Sequence, residues 1–394
     1  MKKKIKTIKG IDVSGKRVIF RTAYDFTLKK RGGSFVVPDD IRIKTTIPTL
    51  RYLLKKKAKV IILTWLGRPK KREKRFKLDP VARRLSQLIK RPVKKLNESV
   101  GPKVEKEIAK MKPGEIIMLE NIRFETGEQK ASKQLAKKLS RLGDVVVNDA
   151  FAQIHRRAAS LALLQKHLPS YSGFLLCSEL EELTSLFCKP RKPRLAIIGG
   201  VKVSTRLELI KRLTNDFEYI LLGGALANTI FKAQGHTVGR SLFEEEMVDI
   251  LRSKAFLKNN VIIPIDVIVT SSNKKISSKI RAVGNVGNHE IIYDIGPDTI
   301  ELFKKYIRSA KTIVWNGPMG LCEVAMFNKG TKSIAQTIAK TRARSIIGGG
   351  DTISAVKKAG LVNQYDFIST GGGAMLHFLE GKTLPGLKYL KREK

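Results

Sequence analysis

In the first half of the chain the apolar residues come in short unbroken runs rather than in strict alternation with polar ones. RVIFR (Arg17–Arg21), KVIILTW (Lys59–Trp65), EIIML (Glu115–Leu119) and DVVVN (Asp144–Asn148) are rich in valine and isoleucine. Strands apolar on both sides are covered on both sides, as in a parallel sheet flanked by helices. Between the runs the spacing lengthens. Ile47, Leu50, Leu53 and Leu54 recur at helical intervals and predict a helix over residues 45–57, and a second is expected over 79–90 with Asp79 as its N-cap.

The second half repeats the alternation and adds glycine. IIGG (Ile197–Gly200), LLGG (Leu221–Gly224), VWNGPMG (Val314–Gly320), SIIGGGDT (Ser345–Thr352) and STGGG (Ser369–Gly373) each lead an apolar strand into a glycine cluster and on into a helix. In an open parallel sheet, ligands bind at the carboxyl ends of the strands, where glycine admits a phosphate and helix N-termini offer free N–H groups. Leu180, Leu183 and Leu186 predict a connecting helix over 178–190 ended by Pro190. At 394 residues the chain exceeds one ordinary core. The expected fold is α/β, with two doubly wound parallel-sheet, Rossmann-like domains over 1–175 and 193–382, joined by a helix and hinge at 176–192.

The formal net charge is +42, and most of the excess falls in the first 170 residues. Such a field attracts small polyanions and, through counterion release, nucleic acid. No RNA-binding aromatic motif interleaves with basic runs such as Lys70–Lys77, which weighs toward solvated surface. Cys177, Cys188 and Cys322 have no metal-ligand spacing and leave one thiol over under any pairing, so neither disulfide nor structural zinc is expected. The basic start is followed by no apolar h-region, and no run of about 18 apolar residues occurs. A cytoplasmic protein without membrane contact is the expectation.

The strand ends differ in chemistry between the halves. In the first they are cationic: Arg21, Arg42, Arg68, Arg123, and Arg156 beside His155. Guanidinium forks bind phosphate and carboxylate bidentately, so the group suggests a small, multiply charged acid. In the second half Gly200, Gly223, Gly224, Gly349 and Gly350 accompany Lys202, Asn316, Glu323, Asp351 and Thr352. That set suits a nucleotide, with a lysine for phosphates, a carboxylate for Mg²⁺, a hydroxyl at a helix start and a second carboxylate for a ribose. A G-x-x-x-x-G-K-[ST] loop and an intact G-x-G-x-x-G are both missing, which disfavours common NTPases and dinucleotide enzymes.

These residues carry a resemblance. PDDIRI (Pro38–Ile43), LGRP (Leu66–Pro69), LENIRF (Leu119–Phe124), VNDAF (Val147–Phe151), GGVKVS (Gly199–Ser204), VWNGPMG, IIGGGDT and STGGGA (Ser369–Ala374) stand in the order found in phosphoglycerate kinases, and the likeness runs from VIFR (Val18–Arg21) to LEGKTLPG (Leu379–Gly386). It implies a monomeric two-domain hinge enzyme, with 3-phosphoglycerate or 1,3-bisphosphoglycerate on the first domain, Mg²⁺ with ATP or ADP on the second, and closure to align them. By resemblance Arg42 and Lys202 stabilise the transferring phosphoryl group. Arg68, Arg123 and Arg156 hold the acid's other phosphate, Asp351 binds Mg²⁺, Thr352, Asn316 and Arg206 hold nucleotide phosphates, and Glu323 takes the ribose. Residues 383–394 are expected to return to the first domain.

The chain also departs from the pattern. Where the family reads R-V-D-F-N-V-P, this sequence has Arg21-Thr22-Ala23-Tyr24-Asp25-Phe26-Thr27; Trp65 replaces the histidine of H-L-G-R-P, Ala158 the second histidine of H-R-A-H, and Ala225 a glycine of the adenine site. A-K-V-S-D-K has become Val201-Lys202-Val203-Ser204-Thr205-Arg206. Ala23, Asp25 and Trp65 therefore mark an altered acid site, where each unmatched buried group costs about 1–3 kcal/mol. Three readings follow: an active but divergent kinase, a kinase whose acyl-phosphate substrate has shifted, or a nucleotide- or RNA-binding protein that has lost turnover.

Overall fold

Each apolar run becomes a strand, trimmed at its ends. In this computed structural model, which describes residues 5–188, 190–252, 258–271 and 277–390, the chain divides into two units between Glu181 and Glu182, with the segment from Thr383 assigned to the first. The first unit is built on a six-stranded sheet in the order Lys94–Lys95, Ile116–Met118, Lys59–Leu63, Arg17–Arg21, Val145–Asn148, Ser170–Ser172. All its pairings are parallel. The unbroken apolar runs have the expected cause: Val18, Phe20, Val60 and Ile62 belong to one core, and Ile19, Ile61 and Val146 to a second on the other face.

The second unit holds another six-stranded parallel sheet in the order Val261–Ile262, Tyr219–Leu222, Arg194–Ile198, Thr312–Asn316, Arg344–Gly348, Phe367–Ile368. Asp266–Thr270 pairs antiparallel with Lys279–Ala282 and Ile291–Ile295 in a smaller sheet that the sequence pattern did not announce. Helices cover the large sheets, so the α/β, doubly wound expectation holds.

Several boundaries move. The helix read over 45–57 is Ile47–Lys55, and that over 79–90 is Asp79–Ile89 with Leu78 at the cap, so Asp79 is its first residue and lends negative charge to the first turn. The connecting helix is Phe174–Ser185 and ends before Pro190 is reached. Its start is tied to the first unit, the Phe174 N–H donating to Thr49 Oγ1 at 2.9 Å and that of Leu176 to Asp149 Oδ1 at 3.0 Å. The division between the units falls inside this helix. Two of the glycine junctions do not enter helices directly, because the helices after Gly200 and Gly320 begin only at Leu207 and Lys329.

Candidate active site

Parallel register fixes which residues of the first unit share an edge. Arg21 pairs with Leu63 on one side and Asn148 on the other, so Trp65 to Arg68 and Ala150 to Arg156 leave the sheet at the level of Arg21. Arg123 follows from Met118, two strands from Arg21. Arg21 and Trp65 are 0% and 2% exposed. Both side chains are therefore packed against protein groups in this structure. Arg21 Nε donates to Ser160 Oγ at 2.9 Å and Nη1 to the Thr22 carbonyl. Its guanidinium carbon sits 4.6 Å from the Trp65 ring centre, and that of Arg123 4.1 Å from the same ring. Arg21 Nη2, Arg123 Nε and Trp65 Nε1 are buried without hydrogen-bond partners, so the cation–π contacts are what the indole offers these charges.

Glu128, also fully buried, is linked to Arg21 through Ser160. It accepts Ser160 N–H at 2.9 Å and Ser160 Oγ–H at 2.5 Å. Burial pushes its carboxyl pKa up while the nearby Arg21 opposes the rise, and burial brings the Arg21 guanidinium down to about 10. Arg21 stays charged at neutral pH.

Asp25 stands among the remaining arginines. Its Oδ1 accepts the Gly67 N–H at 2.7 Å, its Oδ2 is 3.8 Å from Arg123 Nη1, and its carbonyl accepts from Arg42. Arg123 Nη1 also donates to the Gly67 carbonyl. Burial lowers the Arg42 and Arg123 pKa values, Asp25 opposes both shifts, and the charges of Arg68 and Arg156 press Arg123 further down. Arg68 and Arg156 are exposed. Ala23, 7% exposed, packs in the same apolar core as Trp65 and brings no polar side-chain group.

In the second unit the glycines let loops touch. Gly317 has φ +96°, and a Cβ there would fall 2.2 Å from the Gly199 carbonyl oxygen; Gly349 has φ +98°, which disfavours any L side chain. Thr352, fully buried, accepts the Gly317 N–H at 2.8 Å, so its hydroxyl joins two of the glycine loops. Asn316 is 2% exposed and its Nδ2 is buried without a partner, 3.2 Å from where a Cβ on Gly349 would lie. That orphan donor suits an anionic oxygen brought by a ligand. Asp351 is exposed in the first turn of the helix Gly350–Lys358; Lys202 and Glu323 are exposed, and Arg206 is partly buried, its pKa lowered by burial and raised by Glu380. Among the described residues no three His, Cys, Asp or Glu side chains are grouped for a metal. An exposed carboxylate at Asp351 fits Mg²⁺ arriving on a nucleotide, since this ion keeps waters and takes one or two protein oxygens. A cavity of about 350 Å³ borders Gly200 and Gly224 and is walled by Ala225, Phe231, Met319 and Leu321. Gly223 is beside it for packing, because a Cβ would meet Met319 Sδ at 2.6 Å.

A cationic strand edge on one unit and a glycine edge with an apolar cavity on the other agree with what comparison finds: a family model for phosphoglycerate kinase matches residues 8–382. The chain belongs to the phosphoglycerate kinase family. It is 43% identical over 396 residues to a phosphoglycerate kinase of Dictyoglomus turgidum, covering 99% of each chain, and 42% identical over 391 residues to one of Pelotomaculum thermopropionicum, covering 98% of each. Among solved structures, the phosphoglycerate kinase of Coxiella burnetii superposes with a TM-score of 0.85 at 38% identity, and that of Pyrococcus horikoshii OT3 with 0.84 at 31%, each over 98% of both chains. Against this family frame the sequence located the arginines but missed their supports. Glu128 and Ser160 carry no motif of their own, and neither do the cavity walls Phe231 and Leu321.

Proposed function

We propose that the chain is a working phosphoglycerate kinase. A carboxylate oxygen of 3-phosphoglycerate attacks the terminal phosphorus of ATP, the new O–P bond forms as the bond to the ADP oxygen breaks, and 1,3-bisphosphoglycerate and ADP result; glycolysis runs the same step in reverse. The observation that carries this is the cationic group around Asp25, which keeps Arg42, Arg68, Arg123 and Arg156 at one sheet edge although the neighbouring family positions have changed.

Arg42 and Lys202 are assigned to the charge that develops on the transferring phosphoryl group. Arg68, Arg123 and Arg156 hold the acid's distal phosphate. Asn316, Arg206 and the amides at Gly349 and Gly350 hold the nucleotide's phosphates, with Thr352 fixing the loop and Glu323 facing the ribose. Asp351 would ligate the Mg²⁺, which neutralises phosphate charge when bound. A cytoplasmic monomer is part of the proposal, and no helix among the described residues is long and apolar enough to cross a membrane. Weak, nonspecific nucleic-acid contact through the basic first unit is a secondary property, tested by whether generic RNA competes with 3-phosphoglycerate at low salt.

The deciding assay couples ADP release to NADH oxidation, with purified protein, 3-phosphoglycerate and MgATP. Turnover in the range of about 1–100 s⁻¹ that ordinary kinases reach supports the assignment. A folded protein that binds MgADP and releases no ADP overturns it in favour of the nucleotide-binding reading.

A further inference from the structure

Asp25 is an anion placed where an anionic substrate is meant to bind, and the structure gives it three separate tasks. Its carboxylate accepts the Gly67 amide at 2.7 Å, which fixes the backbone immediately before Arg68. Its other oxygen lies 3.8 Å from Arg123, and its carbonyl takes the Arg42 guanidinium. Asp25 opposes the effect of burial on both Arg42 and Arg123, while Asp39 also acts on Arg42 and the buried Glu128, bonded to Ser160, also acts on Arg123. The carboxylate is itself only 33% exposed, enough to be reached by solvent and ligand.

We propose that Asp25 is a positioning residue that serves as an internal counter-anion: it holds Gly67, Arg42 and Arg123 in place in the free protein and competes with the incoming phosphorylated acid for the same arginines. The idea rests on the acid-site reading above and adds to it a cost of entry. Four like-charged guanidiniums at one edge repel one another, and without a local anion the long side chains would spread into solvent. With the anion in place they are preorganised, and part of their positive charge is already neutralised before the substrate arrives. The site thereby exchanges affinity for order.

Two variants separate the functions. Asp25→Asn keeps an oxygen that can accept the Gly67 N–H and removes the charge, whereas Asp25→Ala removes both. Asp25→Asn is expected to lower the KM for 3-phosphoglycerate about three- to tenfold, as the Coulomb term at such distances near a protein surface requires, with a larger effect on KM than on kcat. Asp25→Ala is expected to lower kcat about tenfold or more, because the Gly67–Arg68 backbone is released. Calorimetric titration of the whole chain with inorganic phosphate, without nucleotide, gives a second readout independent of turnover. Tighter phosphate binding by Asp25→Asn than by the parent supports the counter-anion even if the parent proves inert with 3-phosphoglycerate, an outcome that would sink only the kinase reading. Equal or weaker phosphate binding by Asp25→Asn overturns the proposal whatever the turnover, as does, when the parent turns over, an Asp25→Ala variant that is folded by circular dichroism and kinetically equal to Asp25→Asn.

Discussion

Replacing Trp65 tests the claim that this residue is a buried support and not a substrate contact. The indole is 2% exposed, belongs to the core that includes Ile61, Leu119 and Ile122, and carries the guanidiniums of Arg21 and Arg123 at 4.6 and 4.1 Å from its centre. Truncating a buried aromatic to alanine costs about 3–5 kcal/mol, and a desolvated cation–π contact adds roughly 1–2 kcal/mol. Part of the second figure is already contained in the first, so Trp65→Ala should destabilise the first unit by about 5 kcal/mol. At about 2–4 °C per kcal/mol for a unit of this size, its Tm falls by roughly 10–20 °C. Far-UV circular dichroism follows the melt. Trp315, the second of the chain's two tryptophans and buried in the other unit, reports by fluorescence that the second unit is intact. Trp65→His, although it installs the family residue, should also lower Tm and raise the KM for 3-phosphoglycerate, because the imidazole fills less space and leaves both arginines without their ring. A Tm within about 4 °C of the parent for Trp65→Ala, or a lower KM for Trp65→His, would refute the support role.

Lys202→Ala is expected to reduce kcat by about a hundredfold or more while changing the ADP dissociation constant less than about threefold, since an exposed ammonium acts on charge that develops in the transition state; a kcat within threefold of the parent removes it from the mechanism. Asp351→Asn should raise the KM for MgATP and the Mg²⁺ concentration needed for half-maximal rate, and an unchanged Mg²⁺ dependence would reassign the ligand. Asp294, in the second unit, accepts the Gly330 and Ile295 amides at 2.9 Å each, and burial pushes its pKa up from 3.8 to about 7. The folded state therefore keeps a proton that the unfolded chain has lost, so the parent loses stability as pH rises from about 4 to 7, by at most about 1.4 kcal/mol per unit, and the loss stops above that window. Urea midpoints at pH 4.5 to 7.5 should show the gap between parent and Asp294→Asn narrowing as pH rises; a constant gap contradicts the assignment.

What the sequence made legible follows from what is local. A buried parallel strand needs consecutive apolar residues, so RVIFR and DVVVN identified themselves, and parallel pairing then brought Arg21, Leu63 and Asn148 to one level. The two-residue strands Lys94–Lys95 and Phe367–Ile368 are too short to set up any period, and the antiparallel sheet pairs Asp266–Thr270 with Lys279–Ala282, a strand with charged residues at two of its four positions and no apolar run to announce it. At Gly199 and Gly317 the glycines were taken as helix entrances, yet they serve the approach of two loops, with the Gly199 N–H donating to the Asn316 carbonyl at 2.9 Å.

The acid site shows the harder limit. An arginine at a strand end and a tryptophan in place of a histidine both look like surface chemistry in one dimension, but the buried Ser160 and Glu128 draw Arg21 inward and the ring follows it. Asp25 was legible as a charge, but its contact with the amide of Gly67 was not, because that is a group every residue but proline possesses. A carboxylate that repels the ligand and also orders the groups that bind it has opposite effects on KM and on kcat. Only the geometry separates them: the Gly67 contact survives in an amide, and the charge does not. For that reason restoring the neutral residue at position 25 and restoring the histidine at position 65 are expected to move the enzyme in opposite directions, although a comparison of sequences would group the two as equivalent repairs.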